Sequence, residues 1–279
     1  MTVCGMADLV RRATAAGAGI GAFNVIQLEH AEGIVAGAER AGRPVVLQIS
    51  ENSVAYHGSL APLANACLTL GRQAAVEIVV HLDHATRPDL VAEAIDLGIS
   101  SVMYDASSQS HAANVDATCS VFAAAHAAQV WVEAELGEVG GKDGVHAPGV
   151  RTRPDEAAAY VAATGVDALA VAVGSSHAML TRDAQLDDDL IAAIAAAVPV
   201  PLVLHGSSGV PDEGLRRAVT RGMRKVNIAT QLNKVMAAAV REALTDPALV
   251  DPRKYLGPGR DAVAAEVARL LTLLAPATY

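Results

Sequence analysis

A short apolar run followed by a helical segment occurs eight times along this chain, and this repetition restricts the fold more than any other feature. The third run, Glu77 to Thr86 (EIVVHLDHAT), is typical. Its aliphatic residues indicate a buried strand, which ends in the polar pair Asp83 and His84. A parallel α/β barrel closes with eight strands that alternate with helices. The sequence therefore predicts an α/β fold, a (β/α)8 TIM barrel that forms a single domain over residues 1–279.

Apolar and helical spacing predict the bounds of the other elements. The other predicted strands cover residues 20–25, 44–49, 101–104, 130–136, 168–173, 201–204 and 225–228. The predicted helices cover residues 6–19, 28–41, 60–75, 90–97, 112–128, 154–164, 186–197, 214–221, 231–244 and 259–274. Most connections are short, but the Gly-rich segment 138–153 is long enough to act as a mobile active-site loop.

Composition limits the classes of function. The formal net charge is −9, from 30 acidic and 21 basic residues, which argues against a nucleic-acid partner. Backbone amides could still bind a phosphorylated substrate. No apolar run approaches the length of a membrane span and no signal peptide is evident, so we expect a cytoplasmic protein with no membrane contact. The three scattered cysteines do not indicate a disulfide framework or a structural zinc site.

A polar residue stands at or near the end of each predicted strand. Active sites of such barrels lie at the C-terminal ends of the strands, so we expect these side chains to meet at one mouth. They are Asn24, Ser50, Asp83 with His84, Asp105, Glu135, His177, His205 and Asn227.

Three of these strand ends carry the histidines His84, His177 and His205. Three imidazoles around an open fourth position are typical of a catalytic zinc site, and such an ion polarises a carbonyl when a neighbouring C–C bond breaks. Asp83, beside the first of them, could transfer a proton at a nearby hydroxyl. Any one of these histidines alone would more often be an ordinary strand-end residue, but the three together with Asp83 favour the metal. His81, inside the apolar run, is expected to be a hydrogen-bonded core histidine.

Two loops favour a phosphate site. Residues 206–209 (GSSG) follow the seventh strand and residues 227–230 (NIAT) end the eighth, where barrels commonly bind phosphate. Small residues let backbone N–H groups approach phosphate oxygens, and hydroxyls add donors. A Gly-Ser turn by itself is usually only a turn, so the position in the barrel is what favours phosphate.

Six motifs, in order, resemble those of the class II (zinc-dependent) fructose-bisphosphate and tagatose-bisphosphate aldolases. They are HLDH (81–84), SVMYDAS (101–107), VEAELGEVGG (132–141), VGSSH (173–177), LHGSSGV (204–210) and KVNIAT (225–230). The similarity extends from GAFNV around Asn24 to DPRKYL around Arg253. It implies a TIM barrel and the reversible cleavage of a ketose 1,6-bisphosphate, of the fructose or tagatose type, to dihydroxyacetone phosphate and an aldehyde such as glyceraldehyde 3-phosphate.

The resemblance also implies roles for the strand-end residues. Asp83 resembles the family's proton donor. The residues that resemble its catalytic zinc ligands are His84, His177 and His205. Asp105 and Glu135 resemble ligands of a secondary metal position. A monovalent cation (Na+ or K+) near the phosphate and a homodimer or homotetramer are further expectations from the family.

Substrate contacts follow from the same resemblance. The residues that resemble the dihydroxyacetone-phosphate clamp are Asn24, Ser50, Ala178, Gly206, Ser207, Ser208, Asn227, Ile228, Ala229 and Thr230. Arg253 resembles the arginine that binds the far phosphate. The chain departs from the family pattern at Ala178, where glycine is usual, and in a loop at residues 140–143 that is one residue shorter. Either Glu138 or Asp143 could exchange the proton on the enediolate carbon.

Three alternatives remain open. A class II-type aldolase could act on another phosphorylated sugar or keto acid, or the chain could be a non-catalytic barrel subunit of an aldolase assembly. A Schiff-base aldolase on the same fold needs a lysine at the active-site end of a strand. Lys225 stands ahead of the apolar part of its strand and Lys142 lies in the 138–153 loop, so this third alternative is disfavoured.

Overall fold

Eight parallel strands form a closed barrel in the computed structural model, which describes residues 4–137 and 151–275. Each strand pairs with the next, and the last pairs with the first. The strands are β1 (Ile20–Asn24), β2 (Val45–Ser50), β3 (Ile78–Ala85), β4 (Ser101–Tyr104), β5 (Trp131–Leu136), β6 (Ala168–Val171), β7 (Leu202–Leu204) and β8 (Met223–Ile228). The predicted TIM barrel is confirmed.

Helix α1 precedes the first strand, and the other helices follow the strands around the outside of the barrel. They are α1 (Met6–Ala16), α2 (Leu28–Ala41), α3 (Glu51–His57), α4 (Ala61–Gln73), α5 (Pro88–Asp96), α6 (His111–Ala127), α7 (Pro154–Thr164), α8 (Asp188–Ala197), α9 (Asp212–Arg221), α10 (Thr230–Ala243) and α11 (Pro252–Leu273). A 3-10 turn covers Ser207–Gly209. Among the helices so described, none is both long and apolar enough to cross a membrane.

Two helical segments differ from the sequence prediction. Helix α3 follows β2 directly, where no helix was expected, because the Ser50 hydroxyl caps it by accepting the N–H of Ser53. Helix α11 begins at Pro252 instead of 259 and continues through Pro258. Gly259, the next residue, lets α11 pack closely on α10, since a Cβ there would lie within 3.1 Å of side chains on α10.

Alternation along each strand separates two cores. On β3, Ile78, Val80 and Leu82 belong to the larger core beneath the helices. Val79 points into the barrel and joins a smaller cluster with α1, which closes the N-terminal end. Above this apolar floor the inward positions become polar, so the chemistry of the chain is concentrated in the upper half of the barrel.

Candidate active site

A cavity of about 560 Å³ opens at the C-terminal mouth of the barrel, within the range of small-molecule sites. The predicted site residues that line it are Asn24, Ser50, Asp83, His84, His177, Ala178, Gly206, Ser208, Asn227, Ala229 and Thr230. Other predicted residues lie buried against it, and these are Asp105, Glu135, His205, Ser207 and Ile228. Strands far apart in sequence thus bring nearly all the predicted side chains to one place.

Three imidazoles face one another at the floor of the mouth. The ring centroid of His84 lies 4.5 Å from that of His205 and 5.1 Å from that of His177. The centroids of His177 and His205 are 5.7 Å apart. Each ring offers a nitrogen within 4.8 Å of the others, so the three could hold one metal ion. Nitrogen donors in this number are typical of catalytic zinc sites.

A local irregularity aims His84 into the mouth. Strict alternation would turn His84 toward the helices, like Leu82, while Asp83 faces inward. The pairing of β3 with β4 shifts register between Leu82 and Ala85, and His84 has a left-handed φ of 51°. This bulge-like shift lets two consecutive side chains line the same cavity.

Asp105 and Glu135 form a second group of possible metal ligands with His84. The His84 Nδ1 atom lies 2.9 Å from Asp105 Oδ2. Ser107 donates its hydroxyl to Asp105 at 2.6 Å and to Glu135 at 3.2 Å. The two carboxylates are therefore held beside the first group and share a ligand with it.

Three amide side chains surround the Asp83 carboxylate. Asn24 donates to Oδ2 at 2.9 Å, and Gln48 and Asn227 donate at 3.4 Å each. Burial raises the pKa of Asp83, but the electrostatic effect of the neighbouring His84 and Lys225 side chains outweighs it, so the pKa lies well below its usual value. Asp83 is thus an ionised carboxylate that is oriented for accepting a proton.

A charged layer lies one step deeper in the barrel. Glu133 accepts a hydrogen bond from His205 Nε2 at 3.0 Å and one from Lys225 Nζ at 2.8 Å. His81 Nδ1 forms a hydrogen bond of 2.7 Å with Ser101 Oγ, as expected for a core histidine. Burial and the Lys225 charge lower the pKa of His81 to about 3, so its ring is neutral. The pKa of Glu133 is also lowered, because the ammonium of Lys225 outweighs the effect of burial.

The β7 and β8 loops form a cradle suited to an anion. Ser208 Oγ accepts the N–H of Ala229 at 3.3 Å and of Gln231 at 3.1 Å, which ties the two loops together. Helix α10 begins at Thr230, so its N-terminal turn opens on the cavity. Gly206 is required for this packing, since a Cβ there would lie 2.6 Å from the backbone of Ser176. No lysine or arginine is found among the described residues that line the mouth. An anion would therefore be held by backbone N–H groups and hydroxyls.

Ala178 occupies a position that glycine usually takes in the similar family. Its φ of 57° is left-handed, yet it lies in the cavity wall next to His177. The backbone thus adopts the glycine-like conformation at the expense of about 1–2 kcal/mol for a residue with a Cβ.

Several expectations lie outside the mouth or outside the described residues. Arg253 lies on the first turn of α11, where its side chain is 89% exposed and pairs with Asp251. It does not line the cavity as defined by residues 4–137 and 151–275, so its role stays a prediction. Glu138, Asp143 and most of the predicted 138–153 loop fall within the undescribed segment 138–150.

The sequence analysis missed three residues of the site. Gln48 contacts Asp83, Glu133 contacts His205, and Lys225, which the sequence analysis placed at the start of its strand, contacts Glu133. It lies inside β8 and is 1% exposed. Each of the three stands two residues before a predicted site residue, so period-2 alternation was the available signal.

Comparisons with known proteins agree with this geometry. A family model described as fructose-bisphosphate aldolase class-II matches residues 5–277. The fructose-bisphosphate aldolase of Thermus caldophilus is 38% identical, over 94% of both chains. The protein of the same name from Geobacillus stearothermophilus is 39% identical, over 96% of this chain and 95% of its own. The crystal structure of the YdjI aldolase from Escherichia coli superposes with a TM-score of 0.86 at 29% identity, covering 98% of this chain and 97% of that one.

Proposed function

The chain belongs to the class II fructose-bisphosphate aldolase family, and we propose that it catalyses the zinc-dependent, reversible aldol cleavage of a ketose 1,6-bisphosphate. The products would be dihydroxyacetone phosphate and an aldehyde such as glyceraldehyde 3-phosphate. The observation that carries the proposal is the convergence of His84, His177 and His205 beside Asp83 at a mouth with an anion cradle.

The donor atoms of the site fit a divalent metal. Three imidazoles whose nitrogens lie within 4.8 Å of one another match the ligand set that zinc prefers. When bound there, zinc polarises the substrate carbonyl and stabilises the negative charge that develops as the C3–C4 bond breaks. Asp105 and Glu135, which share His84 with this set, are proposed as the secondary metal position.

Asp83 is proposed to move the proton of the C4 hydroxyl. In cleavage its carboxylate takes this proton while the C3–C4 bond breaks, and in synthesis it returns the proton to the aldehyde oxygen. The amide hydrogen bonds from Asn24, Gln48 and Asn227 orient both oxygens, and the lowered pKa keeps the group ionised. The carboxylate is thus oriented and charged before substrate arrives.

The phosphate of the dihydroxyacetone half is proposed to bind in the cradle formed by the β7 and β8 loops. Its donors would be backbone N–H groups around Ala178, Gly206 and Ala229 together with the hydroxyls of Ser208 and Thr230. The N-terminal end of α10 adds a favourable partial charge. The far-phosphate role of Arg253, the monovalent cation, the homodimer or homotetramer and the cytoplasmic location stay predictions.

A substrate panel tests the proposal. The purified chain is assayed with fructose 1,6-bisphosphate, tagatose 1,6-bisphosphate and fructose 1-phosphate, as prepared, after EDTA, and after zinc is restored. We expect cleavage of at least one bisphosphate that is lost with EDTA and returns with zinc. The variant His177→Ala should lose this activity, whereas His111→Ala, which removes an exposed histidine of α6, should retain it. Absence of bisphosphate cleavage by the zinc-loaded protein would refute the proposal.

A further inference from the structure

We infer that Glu133, held in place by Lys225, is a positioning residue that aims His205 at the metal. The inference rests on the metal site of the proposed function and extends it to a pair of charges that touches neither the mouth nor the substrate. Glu133 and Lys225 are 0% and 1% exposed, and neither lines the cavity.

The two oxygens of Glu133 have different partners. Oε1 lies 3.0 Å from His205 Nε2, and Oε2 lies 2.8 Å from Lys225 Nζ. A carboxylate accepts, so Nε2 of the imidazole carries the hydrogen. Nδ1 is then the ring nitrogen that remains for a metal ion, and it lies 3.3 Å from Glu135 Oε2 in the layer above. Glu133 thereby fixes both the tautomer and the orientation of the ring, as carboxylates commonly do behind metal-binding histidines.

Lys225 explains why the carboxylate stays in that orientation. An ionised carboxylate buried in a barrel is costly unless it is paired and hydrogen-bonded. Lys225 on β8 supplies the charge at Oε2 and leaves Oε1 for His205. A buried ion pair adds little net stability compared with apolar residues of similar volume, so stability alone does not account for it.

Two double variants separate positioning from folding. Both remove the ion pair and leave no unpaired buried charge. Lys225→Met with Glu133→Gln keeps a carbonyl oxygen that can accept the His205 N–H, whereas Lys225→Met with Glu133→Leu removes the acceptor. The single variant Lys225→Met tests whether the lysine is needed to hold the carboxylate, and Arg217→Met, which cuts an exposed ion pair between α9 and α8, is the control.

Zinc affinity is the readout, measured by competition with a chromophoric chelator, together with the visible spectrum of the Co2+-loaded protein. Loss of an outer partner of a metal-binding histidine costs about 10- to 100-fold in metal affinity. We expect that loss for Lys225→Met with Glu133→Leu, with a changed Co2+ spectrum. The double variant Lys225→Met with Glu133→Gln should largely keep its zinc affinity. The control Arg217→Met should bind zinc as tightly as the wild type. The single variant Lys225→Met should also bind zinc more weakly.

The outcomes are distinguishable. If the two double variants bind zinc equally, whether weakly or like the wild type, the positioning role is wrong. If only the single variant fails to fold, the double variants still decide. If the wild-type chain itself binds no zinc, the proposed function is wrong, because the metal site on which the inference rests does not exist.

Discussion

The variant Asp83→Asn should nearly abolish cleavage while leaving the site intact. The substitution keeps the shape of the side chain, and the hydrogen bonds around it can be re-formed. The new amide oxygen can accept from Asn24, as Asp83 Oδ2 does at 2.9 Å. The new amide nitrogen, in the place of Asp83 Oδ1, would face the Nδ2 donor of Asn227. The Oδ1 atom of Asn227 has no partner among the described residues. A flip of the Asn227 amide therefore restores a donor–acceptor pair.

What the variant loses is proton transfer. A positioned acid–base group contributes about 100- to 10,000-fold, or roughly 3–5 kcal/mol of transition-state stabilisation. We expect kcat for bisphosphate cleavage to fall by that factor with stoichiometric zinc retained. Exchange of the C3 proton of dihydroxyacetone phosphate with solvent does not involve the C4 hydroxyl, so it should continue. Cleavage within tenfold of wild type would refute the role of Asp83, and loss of zinc would refute the structural reasoning.

Three further predictions concern the metal, the cradle and the charged layer. Chelation should abolish cleavage and added zinc should restore it, whereas activity that survives complete demetallation would contradict a Lewis-acid role. Ser208→Ala removes the acceptor for the N–H groups of Ala229 and Gln231 and should raise KM by roughly tenfold with zinc content unchanged. An unchanged KM would show that Ser208 has no role in phosphate binding. Because the pKa of His81 falls to about 3 on folding, from 6.5, the unfolded chain binds more protons between these values, and stability is lost as pH falls through this window. His81→Gln should make that loss shallower by about one proton in denaturant titrations from pH 4 to 7. An unaltered slope would mean that His81 is already charged in the fold.

Most of the barrel was predictable because one rule governs it. Parallel strands of a barrel end at one mouth, so Asp83, Glu135, His205 and Asn227 were expected there, where the structure has them, and period-2 alternation along the strands turns these side chains inward. The same rule would have found Gln48, Glu133 and Lys225, two positions before site residues.

The remainder depends on contacts that local sequence does not encode. The register shift that turns His84 inward results from the pairing of β3 with β4. The left-handed φ of Ala178 is a conformation that alanine itself disfavours, so the residue type does not predict it. Helix α11 continues through Pro258, a residue that normally ends or kinks a helix, and packs closely on α10 at Gly259.

The central claim is that one imidazole on β3 and two in the loops that follow β6 and β7 bind one zinc ion. X-ray absorption at the zinc edge of the stoichiometrically loaded protein tests it most directly. We expect a first shell dominated by imidazole nitrogens at about 2.0–2.1 Å, and a loss of imidazole scattering in His205→Ala. Failure to bind one zinc per chain, or a shell unaffected by that substitution, would contradict the account.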